Sequence, residues 1–108
     1  MLIISGNDIS LSRGNTAVID VNIFKDDEPY TLREGESIVF NLKRSCEFNS
    51  VVLSKESDTN SFIFNPIDTA PLGLGVYDYS ITYFGDNGEI DTFITGKFTI
   101  MCEVAEND

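Results

Sequence analysis

Val76-Tyr77-Asp78-Tyr79-Ser80-Ile81-Thr82-Tyr83-Phe84 changes between apolar and polar side chains at nearly every step. That is the period of a strand with one buried face and one wet face, because successive side chains of extended backbone point to opposite sides. Phe84-Gly85-Asp86-Asn87-Gly88 follows, rich in residues that tolerate positive φ. The strand is therefore predicted to turn back through a hairpin into Ile90 to Thr95.

Working outward, the same period recurs along the chain. Ala17, Ile19, Val21 and Ile23 alternate with Thr16, Asp20 and Asn22, although Val18 and Phe24 intrude on the polar side. Ile38, Phe40 and Leu42 alternate with Ser37, Asn41 and Lys43, and Phe98, Ile100, Cys102 and Val104 alternate with Lys97, Thr99 and Glu103. Phe62 and Phe64 form a short strand before Pro66, and weaker strands are expected at Asp8 to Leu11 and Val51 to Lys55. The total is about eight strands at the spacing of an all-β sandwich or barrel. The one helical signal, over residues 66–72, is a single turn linking strands of opposite sheets. Lys25-Asp26-Asp27-Glu28-Pro29, Arg33-Glu34-Gly35-Glu36 and Ser57 to Ser61 read as surface turns, and the scattered glycines, Gly96 among them, as turn or bulge residues.

One local pattern is more specific. Gly75-Val76-Tyr77-Asp78-Tyr79 opens a strand directly after a tight crossover and resembles the tyrosine corner of immunoglobulin-like sandwiches, with Tyr77 as the corner residue. Its hydroxyl is expected to find a backbone partner within residues 66–73, since a buried hydroxyl without one is costly. The expected fold is thus an antiparallel immunoglobulin-like β-sandwich, one domain over residues 1–108, with Ile19, Val21, Phe40, Tyr79, Ile81 and Ile100 in its core.

Charge narrows the function classes. Lys and Arg number 7 against 18 Asp and Glu, a net charge of -11. That sign repels phosphate backbones and anionic lipid surfaces, so neither nucleic acid nor membrane is an expected partner. Met1 to Ile4 is too short an apolar run for an export signal or a membrane span. Cys46 and Cys102 fall short of a secreted disulfide framework, which favours a reducing cytoplasm, and spacing alone does not decide whether they bond to each other.

Catalytic chemistry lacks its usual parts. The chain has no histidine, which removes the commonest general base and transition-metal ligand together. No serine has a visible activating partner, and Cys102 is expected on an inward face as a small hydrophobe. The carboxylates cluster in turns and on outward strand faces, where solvation explains them better than paired glycosidic chemistry. Asp26-Asp27-Glu28 and Asp86-Asn87-Gly88-Glu89 offer oxygen ligands for calcium, but neither matches a twelve-residue calcium loop and turn formation accounts for both. No enzyme activity, metal or cofactor is expected.

Taken in order, Asp8 to Ala17, Pro29 to Leu32 with Gly35 to Phe40, Asp68-Thr69 with Leu72, Gly75, Tyr77 and Tyr79, and Gly88 to Thr92 with Gly96 to Ile100 resemble the blocks of small Ig-like domains encoded by bacteriophages of Gram-positive hosts. These are similar to the N-terminal sandwich of upper-baseplate proteins and to tail or head-fibre modules. The likeness spans nearly the whole chain apart from Arg44 to Ser61, and Asn15 stands where the pattern has Asp. It implies a structural virion or assembly protein, in the virion or in host cytoplasm during assembly, that docks onto itself and other virion proteins. The alternative is a bacterial cell-surface or carbohydrate-binding Ig-like module. Leu2, Ile3, Ile4, Val18 and Phe24 remain once one face of each strand is assigned to the core; they are the candidate partner surface, and a homo-oligomer is expected from them.

Overall fold

The alternating stretches are strands, with one helical turn between two of them. A computed structural model describes residues 1–45 and 48–102, and the side chains of 1–44 and 51–102. Its elements are β1 (Leu2–Ser5), β2 (Asp8–Ser12), β3 (Ala17–Asp20), β4 (Ile23–Lys25), β5 (Glu28–Tyr30), β6 (Ser37–Ser45), β7 (Phe48–Ser57), β8 (Ser61–Phe64), α1 (Pro66–Thr69), β9 (Gly75–Phe84) and β10 (Ile90–Met101). The protein is all-β. Six strands form one sheet in the order β1-β2-β10-β9-β6-β7, while β3 pairs with β8 and β4 with β5 in two small sheets.

The large sheet is mixed, which corrects the expectation of purely antiparallel pairing: β2 runs parallel to β10, with Ile9 beside Phe98 and Leu11 beside Ile100. Strand direction is fixed locally only where a short turn joins neighbours, as between β9 and β10. No short turn joins β2 to β10, so local pattern carries no information about their relative direction.

Other boundaries moved for identifiable reasons. The single strand expected over Ala17 to Phe24 breaks at Val21-Asn22 into β3 and β4, where the Val21 amide leaves the strand ladder and donates to the Asn60 carbonyl at 2.7 Å. Ile90 to Thr95 and Phe98 onward are one strand, continuous through Gly96. Gly96 is there for close approach: a Cβ built on it would lie 2.4 Å from the Asn7 carbonyl oxygen, which also accepts the Tyr79 hydroxyl. The register slips between Thr92 and Ile94 instead. β1 and β5 lack sustained alternation and were not expected. Cys102, expected inward, is exposed just past the end of β10, and Cys46 and Val104 lie outside the described residues, as does any Cys46–Cys102 bond.

Phe40 on β6 stands at the centre of the core. Its ring meets Tyr79 and Phe98 of the large sheet at 5.3 and 5.7 Å, and Phe62 and Phe64 of β8 at 5.9 and 5.2 Å. The β8 rings thus seat the β3–β8 pair against one face of the large sheet. Aromatic pairs at this separation add to the area they bury. The crossover from β8 back to β9 is pinned twice: the buried Thr69 side chain accepts the Gly14 amide at 2.8 Å, and the Tyr77 hydroxyl donates to the Gly73 carbonyl at 2.7 Å.

β7, an edge of the large sheet, carries a built-in guard. Lys55, opposite Phe40 in register, sends its ammonium 2.7 Å from the Asp68 carboxylate of α1 and 5.6 Å from the Phe64 ring centroid. An inward-pointing charge on an edge strand discourages addition of another strand.

Two outcomes follow for denaturant unfolding. Phe40→Ala leaves a cavity among four rings and should cost about 3 to 5 kcal/mol, whereas a loss under about 1 kcal/mol would contradict its central place. Tyr77→Phe deletes one buried hydrogen bond and should cost roughly 1 kcal/mol; an unchanged midpoint would show that the Gly73 bond contributes nothing.

Candidate functional site

The structure divides the five side chains offered by the sequence between two faces. β1 lies along β2 with Leu2 opposite Leu11, Ile3 opposite Ser10 and Ile4 opposite Ile9. Leu2 is half-buried and packs on the core, so part of the Met1 to Ile4 run covers the chain's own sheet. Ile3 and Ile4 remain 48% and 52% exposed along an outer edge with no strand beyond it in the sheet. Val18 and Phe24 are elsewhere, on the side of β3 and β4 turned away from the core.

On that outer side, residues missing from the sequence-based expectation complete the surface. Val18 stands opposite Ile63, and the two are 57% and 58% exposed. Phe24 stands opposite Pro29 in the β4–β5 hairpin, whose two turn residues, Asp26 and Asp27, have φ of 53° and 64°. Positive φ at both central positions is what a tight two-residue hairpin needs, and it accounts for the acidic run without a ligand. Ile63 was legible in principle, because it falls out of phase with the inward Phe62 and Phe64.

Beside Phe24 and Pro29 the surface dips into a hollow of about 490 Å³, lined also by Asp20, Asn22, Thr31 and Asp58. Asn60 holds its floor together. Its side-chain oxygen accepts the Leu32 amide at 3.0 Å, its side-chain nitrogen donates to the Tyr30 carbonyl at 2.9 Å, and its own carbonyl takes the Val21 amide. One asparagine thereby bridges the gap between the β3–β8 and β4–β5 pairs.

Beneath the hairpin lies a polar cluster that corrects the reading of Arg33 to Glu36 as an all-surface turn. Glu36 is only 8% exposed. Tyr30 donates to its two carboxylate oxygens at 2.6 and 2.8 Å, Tyr83 donates at 2.5 Å, and the Arg33 amide donates at 2.8 Å. The Lys25 ammonium donates to the Tyr83 hydroxyl at 3.1 Å and lies 4.4 and 4.6 Å from the Tyr30 and Tyr83 ring centroids. Glu36 shares the parity of Ile38, Phe40 and Leu42, and that phase was the signal that its side chain points inward.

The electrostatics follow from the donors. Hydrogen bonds from Tyr30, Tyr83 and the Arg33 amide hold the Glu36 carboxyl down at about 2, outweighing burial, which works the other way. The same bonds, with burial, push the Tyr30 and Tyr83 hydroxyls up to about 12. These shifts are one interaction viewed from its ends. A carboxylate so engaged is a weak proton acceptor near neutral pH, far from the poise a general base needs.

Among the described residues, no three His, Cys, Asp or Glu side chains are grouped to hold a metal ion. Nor is any described helix long and apolar enough to cross a membrane. No family model, curated protein or solved structure matches the chain. What the geometry defines is an all-β protein whose uncovered apolar side chains, among the described residues, include those of the β1 edge and of the outer side of β3, β4, β5 and β8.

The cluster sets a pH signature. Glu36 is depressed in the folded state from 4.5 to about 2, so its contribution is complete above about pH 4.5 and is lost as pH falls toward 2. Tyr30 and Tyr83 are raised from 10.0 to about 12, so theirs is complete below pH 10 and is lost as pH rises toward 12. In thermal melts across pH, Glu36→Gln should flatten the acid limb between about pH 4.5 and 2 relative to the unaltered protein. Parallel acid limbs would contradict this role for Glu36.

Proposed function

We propose that the chain is an immunoglobulin-like β-sandwich that acts without chemistry of its own, as a docking unit of a phage virion part such as a tail, baseplate or head fibre. The observation that carries the docking is the β1 edge, a strand whose outer side pairs with no other strand among the described residues, with the exposed Ile3 and Ile4 along it. Unpaired N–H and C=O groups are a template for another chain, and apolar side chains next to them add burial to the pairing. β7 carries the Lys55 guard at the opposite edge, whereas β1 has no charged residue. Copies of the chain meet through β1, because repeated contacts of one kind build symmetric assemblies.

Support for the sandwich and the phage role comes from two directions. The β8 rings against the large sheet and the Tyr77 hydroxyl on the Gly73 carbonyl are compatible with two layers joined by a tyrosine corner. The order of sequence blocks resembles the phage domains described above. The segment without a counterpart there, Arg44 to Ser61, contains the whole of β7.

Light scattering at micromolar concentration tests the association. The expected result is a multiple of the 12.0 kDa chain mass, falling to one chain mass when Ile3 and Ile4 are replaced by Ser and Lys. Leu2 is left intact because it packs on the core. A single-chain mass for both proteins would overturn association through β1. For the phage role, flanking tail, portal or capsid genes are expected; a sortase or secretion cassette would replace that reading with a cell-surface module.

A further inference from the structure

The hollow on the outer side of β3, β4, β5 and β8 combines two features. Phe24 and Pro29 line it, the Val18–Ile63 pair stands two residues along β3 and β8 from its lining residues Asp20 and Ser61, and Asp20 and Asp58 both line it. No lysine or arginine does. The nearest cations along the chain, Lys25 and Arg33, are drawn instead to the Tyr30 ring, at 4.4 and 5.5 Å from its centroid. Among the described residues, neither the Asp20 nor the Asp58 carboxylate has a hydrogen-bond or ion-pair partner. Their charge is therefore open to a partner.

Resting on the docking role proposed above, we infer that this face binds a basic protein segment in extended form, with Lys or Arg side chains entering the hollow and apolar residues covering the flanking pairs. Val18 and Phe24 are six positions apart across the β3–β4 break, at most about 20 Å of extended chain. An extended segment of about seven residues reaches from one pair to the other. Charge complementarity selects the occupant: two unpaired carboxylates in the hollow favour a cationic segment there and repel an acidic one. The face is distinct from the β1 edge, so one molecule can use both.

A two-dimensional amide NMR titration tests this. One probe is a blocked peptide of about seven residues with valine at each end and lysine and arginine set between threonines; the second has glutamates in place of the basic residues. The basic peptide should shift amides within 18–24, 29–32 and 58–63, more strongly at low salt than at 0.15 M, where charges are screened over about 8 Å. The acidic peptide should shift none of them. Asp20→Asn with Asp58→Asn removes two exposed charges and should weaken binding about twofold to thirtyfold. Shifts elsewhere, no shifts at millimolar peptide, equal response to both peptides, or undiminished binding by the double variant would each overturn the inference. Oligomer mass measured on the same samples keeps its failure apart from failure at β1, which the double variant leaves unaltered.

Discussion

The Glu36 carboxylate is the constraint on which the outer half of this molecule depends. The β4–β5 hairpin has only three residues in each strand, and its backbone bonds tie it to itself. Besides the buried Ile23, what fastens it to the large sheet is a carboxylate withdrawn from water and supplied with donors from Tyr30, Tyr83 and the Arg33 amide, while Lys25 closes the cluster over both rings. A buried carboxylate is tolerated only when its acceptor positions are filled, and removing one donor would leave part of its charge without compensation. The cluster therefore works as a clasp: its members satisfy one another and fix the hairpin that carries Phe24 and Pro29.

Packing and polarity divide the labour. Rings from β6, β8, β9 and β10 fill the space between the large sheet and the β3–β8 pair, and hydrophobic burial supplies the largest favourable contribution there. Polar contacts act at the rims, where apolar packing runs out: Lys55 with Asp68 beside β7, Asn60 between the small sheets, Thr69 and Tyr77 along the crossover. The edges follow from this division. β7 is closed by its lysine, β1 is left open, and the side of β3 and β8 turned from the core keeps apolar residues that no part of the described chain covers.

Much of this was legible from period and punctuation. Tyr77 to Tyr83 and Ile38 to Leu42 announce their inward faces directly, and all six core residues named from alternation are buried. Asp86-Asn87-Gly88 announces the hairpin. Pairings between distant segments were not legible: β2 beside β10 is a parallel contact across most of the chain, and direction at that range leaves no local trace. β1 and β5 were missed because a continuous apolar run and a three-residue strand containing Pro29 do not alternate. Of the surface, Val18 and Phe24 showed as intrusions on a polar face, whereas Ile63 and Glu36 sat in phase relations that a stricter parity count exposes. Leu2 shows the limit of composition, since an apolar residue spare in one dimension proved to be packed in three.

On the proposed reading, the protein works by presenting the β1 edge and the outer side of β3 and β8 to neighbours. Amide hydrogen exchange, compared between the dilute single chain and the chain in the proposed assembly, self-associated and with the basic peptide bound, tests it most directly. The account predicts added protection in the assembly concentrated at 2–5, 18–24 and 61–64, with β7 unchanged. Protection gained along 48–57 instead, or no difference at any of these segments, would contradict it.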